Sequence, residues 1–370
     1  MKRMLATVLA VVLAGTLLVG CSASKPAAEN PAPKEQPPAA AAEGGQAAKL
    51  GLGLITSIAK SKDYSNAGGK ETLASAEIDT VMVAALFDKD GKVVKVDIDT
   101  AQPKVNFDKN MKVTSDKAAA IQTKKELGDK YGMVKASSIK KEWYQQIAEL
   151  EKWMVGKSVD EIKNMKVKAR DAEHNSVPDV PELTSSVTIS VGDYLAALEK
   201  AYQNAVDVKD AVKLGVGHEI SISKSQDYSV KDGKETLPVA QADVTVAATA
   251  FDKDGKVAGV LIDNAQTKVN YDKTGKVTSD KTAPIKSKIE LGDAYPMGKV
   301  SSIKKNWYQQ IAELEKWMTG KTVDEIKGLK VKQRDAEHTA VPDVPELTSL
   351  VTITVQDYIA AVAEAYTNAQ

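Results

Sequence analysis

The chain has 370 residues, in which 50 Lys and Arg balance 50 Asp and Glu, and 43% of its side chains are hydrophobic. A net charge of zero gives no sequence-wide field to draw in nucleic acid or an anionic surface, so nucleic acid is excluded as an expected partner. A single cysteine, Cys21, rules out disulfides and cysteine metal centres within one chain.

In chain order, Lys2 and Arg3 precede an uncharged apolar run from Met4 to Gly20, which ends in Leu18-Val19-Gly20-Cys21. A charged start, a short apolar stretch and small residues before a lone cysteine predict a lipoprotein-type signal peptide over 1–20. The run is short for a retained membrane span, which needs roughly 20 apolar residues. Cys21 is then the lipidation residue, and the chain is expected at the cell membrane, lipid-anchored on the extracytoplasmic face. Residues 21–48 are rich in Ala, Pro, Glu and Lys without large apolar side chains, the composition of a disordered linker.

The remainder is a tandem duplication. Lys49 to Ala205 aligns without a gap on Lys213 to Ala369, at a constant offset of 164 residues. Trp143–Met154 is identical to Trp307–Met318, and Arg170–His174 to Arg334–His338. The period exceeds that of common solenoid repeats and predicts two homologous domains, 49–206 and 213–370, each able to hold a core. The connector Val206–Val212 is short, so the two are expected to lie close together.

Within a repeat the first half reads as strands. Ile78–Phe87 is almost continuously apolar, Asp88-Lys89-Asp90-Gly91 is a turn, and Val94, Val96 and Ile98 alternate with Lys95, Asp97 and Asp99. This predicts a hairpin of one central and one half-exposed strand. Gly91 comes too early for a calcium loop. A second hairpin is expected over Val105–Val113 and Val269–Val277. The second half reads as helices: Trp143, Ile147, Leu150 and Met154 form a stripe, Gly156 ends it, and Ser158-Val159-Asp160-Glu161 supplies a capping box that Thr322 and Glu325 repeat. The fold class is therefore α+β, each domain an antiparallel sheet with packed helices.

Several residues invite chemistry. Trp143 with Tyr144, and Trp307 with Tyr308, offer rings for stacking or for packing a helix onto the sheet, and packing is the stronger expectation. His174 and His338 stand among charges in Arg-Asp-Ala-Glu-His runs and read as solvated. His218 has no counterpart in the first repeat, where Leu54 stands. No catalytic triad, phosphate-binding glycine loop or HExxH motif is present, so no catalytic and no metal residues are expected. Lys125, Lys140 and Lys141 are candidates for a phosphate contact.

The most informative stretch is Val177–Tyr202, which recurs as Val341–Tyr366. Two prolines and a hydroxyl-rich run lead into an amphipathic helix whose face is Val191, Tyr194, Leu195, Leu198 and Tyr202. Ser190 with Asp193, and Thr354 with Asp357, mimic capping boxes. Thr188 and Thr352 are then expected two residues before a helix, where its dipole favours a phosphate. The runs Glu182-Leu183-Thr184-Ser185-Ser186-Val187-Thr188 and Glu346-Leu347-Thr348-Ser349-Leu350-Val351-Thr352 resemble the attachment segment of the FMN-binding domain family. In that family Asp, two variable residues, Ser or Thr, Gly, Ala, then Thr or Ser precede a phosphoester to FMN. Here glutamate replaces the aspartate, and Ser-Val or Leu-Val replaces Gly-Ala. The layout also resembles the flavinylated lipoproteins of Gram-positive extracellular electron transfer.

That resemblance implies an electron carrier rather than an enzyme with its own substrate. FMN would sit on Thr188 and Thr352, with Thr184, Ser185, Thr348 and Ser349 beside the attachment points. The implied partners are a flavin transferase, a membrane reductase or quinol donor, an extracellular electron acceptor, and the membrane through the lipid anchor. The alternative is a non-redox ligand-binding or adhesion lipoprotein that keeps the fold without flavin.

Overall fold

The computed structural model describes residues 45–370, so the signal peptide, Cys21 and most of the linker lie outside the described residues. Strand β1 (Lys49–Ser57) pairs antiparallel with β2 (Asp79–Phe87), and β2 with β3 (Val93–Ala101). The Asp88 carboxylate accepts from the N–H groups of Asp90 and Lys92, and Gly91 takes φ +78°, which makes the expected tight turn. The second repeat forms β5 (Lys213–Ser221), β6 (Val239–Phe251) and β7 (Val257–Asn270) in the same antiparallel order.

Strand side chains alternate between faces, and here both faces are covered. Val81, Val83, Ala85 and Phe87 pack on helices α2 (Trp143–Met154) and α4 (Gly192–Gln203). Met82, Ala84 and Leu86, on the other face, meet Val244, Val246, Ala248 and Ala250 of the second repeat in one shared cluster. The mirror helices α6 (Trp307–Met318) and α8 (Gln356–Asn368) close the far side. The layers therefore run helices, sheet, sheet, helices, which explains why β2 is apolar on both faces from Val81 to Phe87.

A second shared cluster joins Ile78, Phe107 and Met111 to Ile222, Val269 and Tyr271, with the Phe107 and Tyr271 rings 5.1 Å apart. The joint is isologous: the Val113 N–H donates to Asp227 Oδ1 at 2.9 Å, and Val277, 164 residues on, donates to Asp63 Oδ1 at 2.9 Å. Each repeat thus has its own helix-on-sheet core and shares two more with its neighbour.

Glycines set how closely the outer helices approach. A Cβ at Gly53 would lie 2.0 Å from the Ala197 carbonyl oxygen, and one at Gly217 would lie 1.9 Å from that of Ala361. Helices α4 and α8 therefore lie directly on backbone at these points. The capping boxes at Ser158 and Thr322 open α3 (Val159–Lys163) and α7 (Val323–Lys327), as their spacing predicts.

Two expectations change. Asp97 and Asp99 are buried, because they share the face of Met82 and Ala84 that the second repeat and Lys125 cover; β3 is not half-exposed. The linker expected through residue 48 ends earlier, since Ala47 is buried and the Ala48 N–H donates to the Phe87 carbonyl. The connector is also built in: β4 (Val206–Asp207) pairs with β1, and Val208 and Ala211 are buried. The repeats differ where Pro103 replaces Thr267. The strand there breaks between Ala101 and Lys104, because proline has no N–H for the ladder, while β7 runs unbroken. Among the described residues no helix is long and apolar enough to cross a membrane.

Candidate functional site

The threonine segment enters its helix differently from the capping-box expectation. Val191 and Val355 are the N-cap residues, without a side-chain cap, and the Gly192 N–H is taken by Ser176 Oγ at 3.2 Å. Thr188 therefore stands three residues ahead of the N-cap Val191, rather than two ahead of a cap at Ser190. Ser190 and Thr354, freed from capping, bury hydroxyl oxygens that have no hydrogen-bond partner among the described residues.

Thr188 and Thr352 are half-buried between aliphatic neighbours, Val187 with Ile189 and Val351 with Ile353. The Thr188 N–H donates to Gln146 Oε1 at 2.8 Å and its hydroxyl approaches the same oxygen at 3.3 Å. Thr352 repeats both contacts with Gln310, at 2.8 and 3.3 Å. Arg170 and Arg334 donate to the two threonine carbonyls at 2.7 and 2.8 Å. Of the flanking hydroxyls, Ser185 and Ser349 are exposed, and Thr184 and Thr348 are exposed but turn back to the carbonyls of Val180 and Val344.

A hollow of about 470 Å³ adjoins this segment in the second repeat, its wall including Ile353, Thr354, Lys288, Tyr295, Trp307 and His338. That is within the roughly 300–1,000 Å³ of small-molecule sites. Lys288 opens the short helix α5 (Lys288–Leu291) and is only 9% exposed; its ammonium lies 5.0 Å from the Tyr295 ring centre and 5.3 Å from that of Trp307. Burial lowers its pKa to about 8, against nearby carboxylates that favour the charge. Two wall residues offer oxygens with no partner, Thr354 Oγ1 and Asn264 Oδ1. Trp307 itself is buried and donates through Nε1 to the Tyr358 hydroxyl at 2.9 Å, so it packs the helix as well as lining the hollow.

The first repeat has the same lysine and rings. Lys124, in α1 (Lys124–Leu127), stands 5.2 Å from the Tyr131 ring centre and 5.4 Å from that of Trp143, and burial lowers its pKa. Trp143 donates to Tyr194 at 2.9 Å, and Ser190 Oγ and Thr100 Oγ1 are the unpartnered oxygens. A site with a desolvated ammonium and an aromatic wall suits a planar heterocycle bearing an anionic group.

No family model and no solved structure matches the chain. It is similar to a protein named chlorophenol reductase from Desulfitobacterium hafniense, 28% identical over 203 residues. The match covers 43% of this chain and 58% of that protein, so the chain spans less than two thirds of its relative's length.

The other candidates fall outside this arrangement. Lys125 is committed to Asp97 and Glu151, Lys141 pairs with Glu149 at 3.1 Å, and Tyr144 donates to Asp129 at 3.1 Å. His174 binds Asp171 at 2.7 Å near the surface, and that bond holds the Asp171 carboxyl well below the usual carboxylate range. His338 makes the same pair with Asp335 at the rim of the hollow. Sequence reasoning missed Gln146, Gln310, Lys124 and Lys288. Both glutamines lie in a helix identical between the repeats, which was the available signal, whereas two lysines among many carry none.

Proposed function

We propose that the chain is a membrane-anchored, extracytoplasmic electron carrier that holds one FMN in each half. Thr188 and Thr352 would carry it as phosphoesters installed by a flavin transferase, with electrons entering from a membrane reductase or quinol and leaving to an external acceptor. The observation that carries this reading is the hollow lined by Ile353 and Thr354, which follow Thr352 in the chain, with its desolvated Lys288 and aromatic wall. The similarity to a protein named a reductase supports a redox role.

Bound flavin supplies the electron-transfer chemistry; the chain binds, orients and tunes it. Gln146 and Gln310 fix the rotamers of the two threonines. Lys124 and Lys288 present a cation whose charge is held weakly, so an anionic partner strengthens it. A second reading, binding without covalent attachment, is favoured by the glutamines already engaging both threonine hydroxyls.

The test is visible absorbance of the protein exported from a host with a flavin transferase, before and after acid precipitation. Flavin absorbance retained in the pellet supports attachment. Absorbance released to the supernatant supports the second reading, and a colourless protein that takes up no added FMN overturns both.

A further inference from the structure

The repeats are not equivalent where they meet. At one joint Lys200 of α4 donates to Glu290 Oε1 of the second repeat and to the Leu54 carbonyl at 3.1 Å. The matching positions at the other joint, 164 residues away, are Glu364, Glu126 and His218. Lysine has become glutamate and leucine has become histidine, so the cation that balances the joint is gone and two ligand-type side chains stand in its place.

We propose that Glu126, His218 and Glu364 bind a divalent transition-metal ion of the zinc class, pinning the first repeat to the second. One ligand atom from each residue lies within 4.8 Å of the others. His218 Nε2 is 3.4 Å from Glu364 Oε1 and 3.5 Å from Glu126 Oε2. These separations are longer than charge-assisted hydrogen bonds of about 2.7–2.9 Å. They match the edge of about 3.3 Å that a tetrahedron with metal–ligand bonds of about 2.0–2.1 Å requires.

The ligands are held before any ion arrives. The other Glu364 oxygen accepts the His218 N–H at 2.6 Å, and Glu126 is locked in a capping box by the Thr123 N–H at 2.8 Å. Such outer contacts are what orient metal-binding side chains. His218 is 8% exposed, and it forms part of the wall of a hollow of about 410 Å³ that spans the joint and leaves room for a further ligand or water. That wall also carries Asp97, Asp99 and Glu151, and its lysine, Lys125, is already paired with Asp97 and Glu151. A mixed set of one imidazole and two carboxylates suits zinc, manganese or iron(II) better than calcium or magnesium.

The decisive experiment titrates Zn²⁺, and Co²⁺ as a spectroscopic probe, into the tag-free mature protein after chelator treatment. One tight equivalent is expected, with the strong visible bands of low-coordinate cobalt. The double variant Glu364→Lys, His218→Leu recreates the other joint, keeps a lysine to face Glu126, and should fold while its metal affinity falls by about a hundredfold or more. If that variant is unfolded, Glu364→Gln decides by the same titration with the same expected loss. Absence of a tight equivalent in the unmutated protein, or affinity unchanged in whichever variant folds, overturns the proposal. The surface pairs His174–Asp171 and His338–Asp335 remain in every variant and report any unspecific binding.

Discussion

Tyr271 is the most direct probe of the core shared by the repeats. Its ring is fully buried against Phe107, the residue at the equivalent position of the first repeat, yet its hydroxyl has no hydrogen-bond partner among the described residues. An unmatched buried hydroxyl costs about 1–3 kcal/mol. Replacing it by hydrogen opens a void of about 10–15 Å³, which costs about 0.3 kcal/mol at about 24 cal/mol per Å³. Tyr271→Phe is therefore expected to stabilise the protein by about 1–2 kcal/mol. Phe107→Tyr, which adds a hydroxyl to the same dry interface, is expected to destabilise by a similar amount. Urea unfolding followed by circular dichroism, with unchanged slopes, measures both. If Tyr271→Phe instead loses stability, the hydroxyl has a partner and the description of this interface as dry is wrong.

Gly53→Ala would press a methyl group against the Ala197 carbonyl, so it should cost about 1–3 kcal/mol or more in the same assay; a change within about 0.5 kcal/mol would contradict the close helix approach. Glu315 is half-buried, and desolvation lifts its pKa from 4.5 to about 8; in place of Lys125 its own repeat has Ile289. A carboxyl with a raised folded pKa binds more protons folded than unfolded. Its contribution is therefore fully favourable below pH 4.5 and fades as pH rises to about 8, by at most about 1.4 kcal/mol per unit. Glu315→Gln should flatten that part of the stability–pH curve, and an unaltered curve would refute the assignment. The first repeat expressed alone as 49–211 exposes Met82, Leu86, Ile78 and Phe107, so size-exclusion chromatography should find a self-associated species. A well-folded monomer would show that the shared clusters are dispensable.

Much of the fold was legible because it is local. The Asp88 turn, the Ser158 and Thr322 capping boxes and the apolar stripes of α2 and α4 all depend on spacings of a few residues, and the duplication shows as direct identity. What was not legible depends on partners far away in sequence. Periodicity marks β2 as buried on both sides, but it does not say that a second sheet covers one of them. Asp97 and Asp99 alternate like solvent-facing residues, and only the arriving repeat and Lys125 bury them. Ser190 has the spacing of a cap, yet Ser176 approaches from upstream to take the Gly192 N–H. The candidate threonines were visible as a motif, whereas Lys288 is distinguished from other lysines only by its burial. The Glu126, His218 and Glu364 cluster is assembled across the joint, and its one sequence trace was the histidine where the first repeat has leucine.

The central claim is tested most directly by the intact mass of the exported protein, with Thr188→Ala and Thr352→Ala alongside. Two flavin phosphoester adducts per chain are expected, each single variant losing one and the double variant losing both. A mass without any adduct, or adducts that survive in the double variant, would contradict attachment at these two threonines.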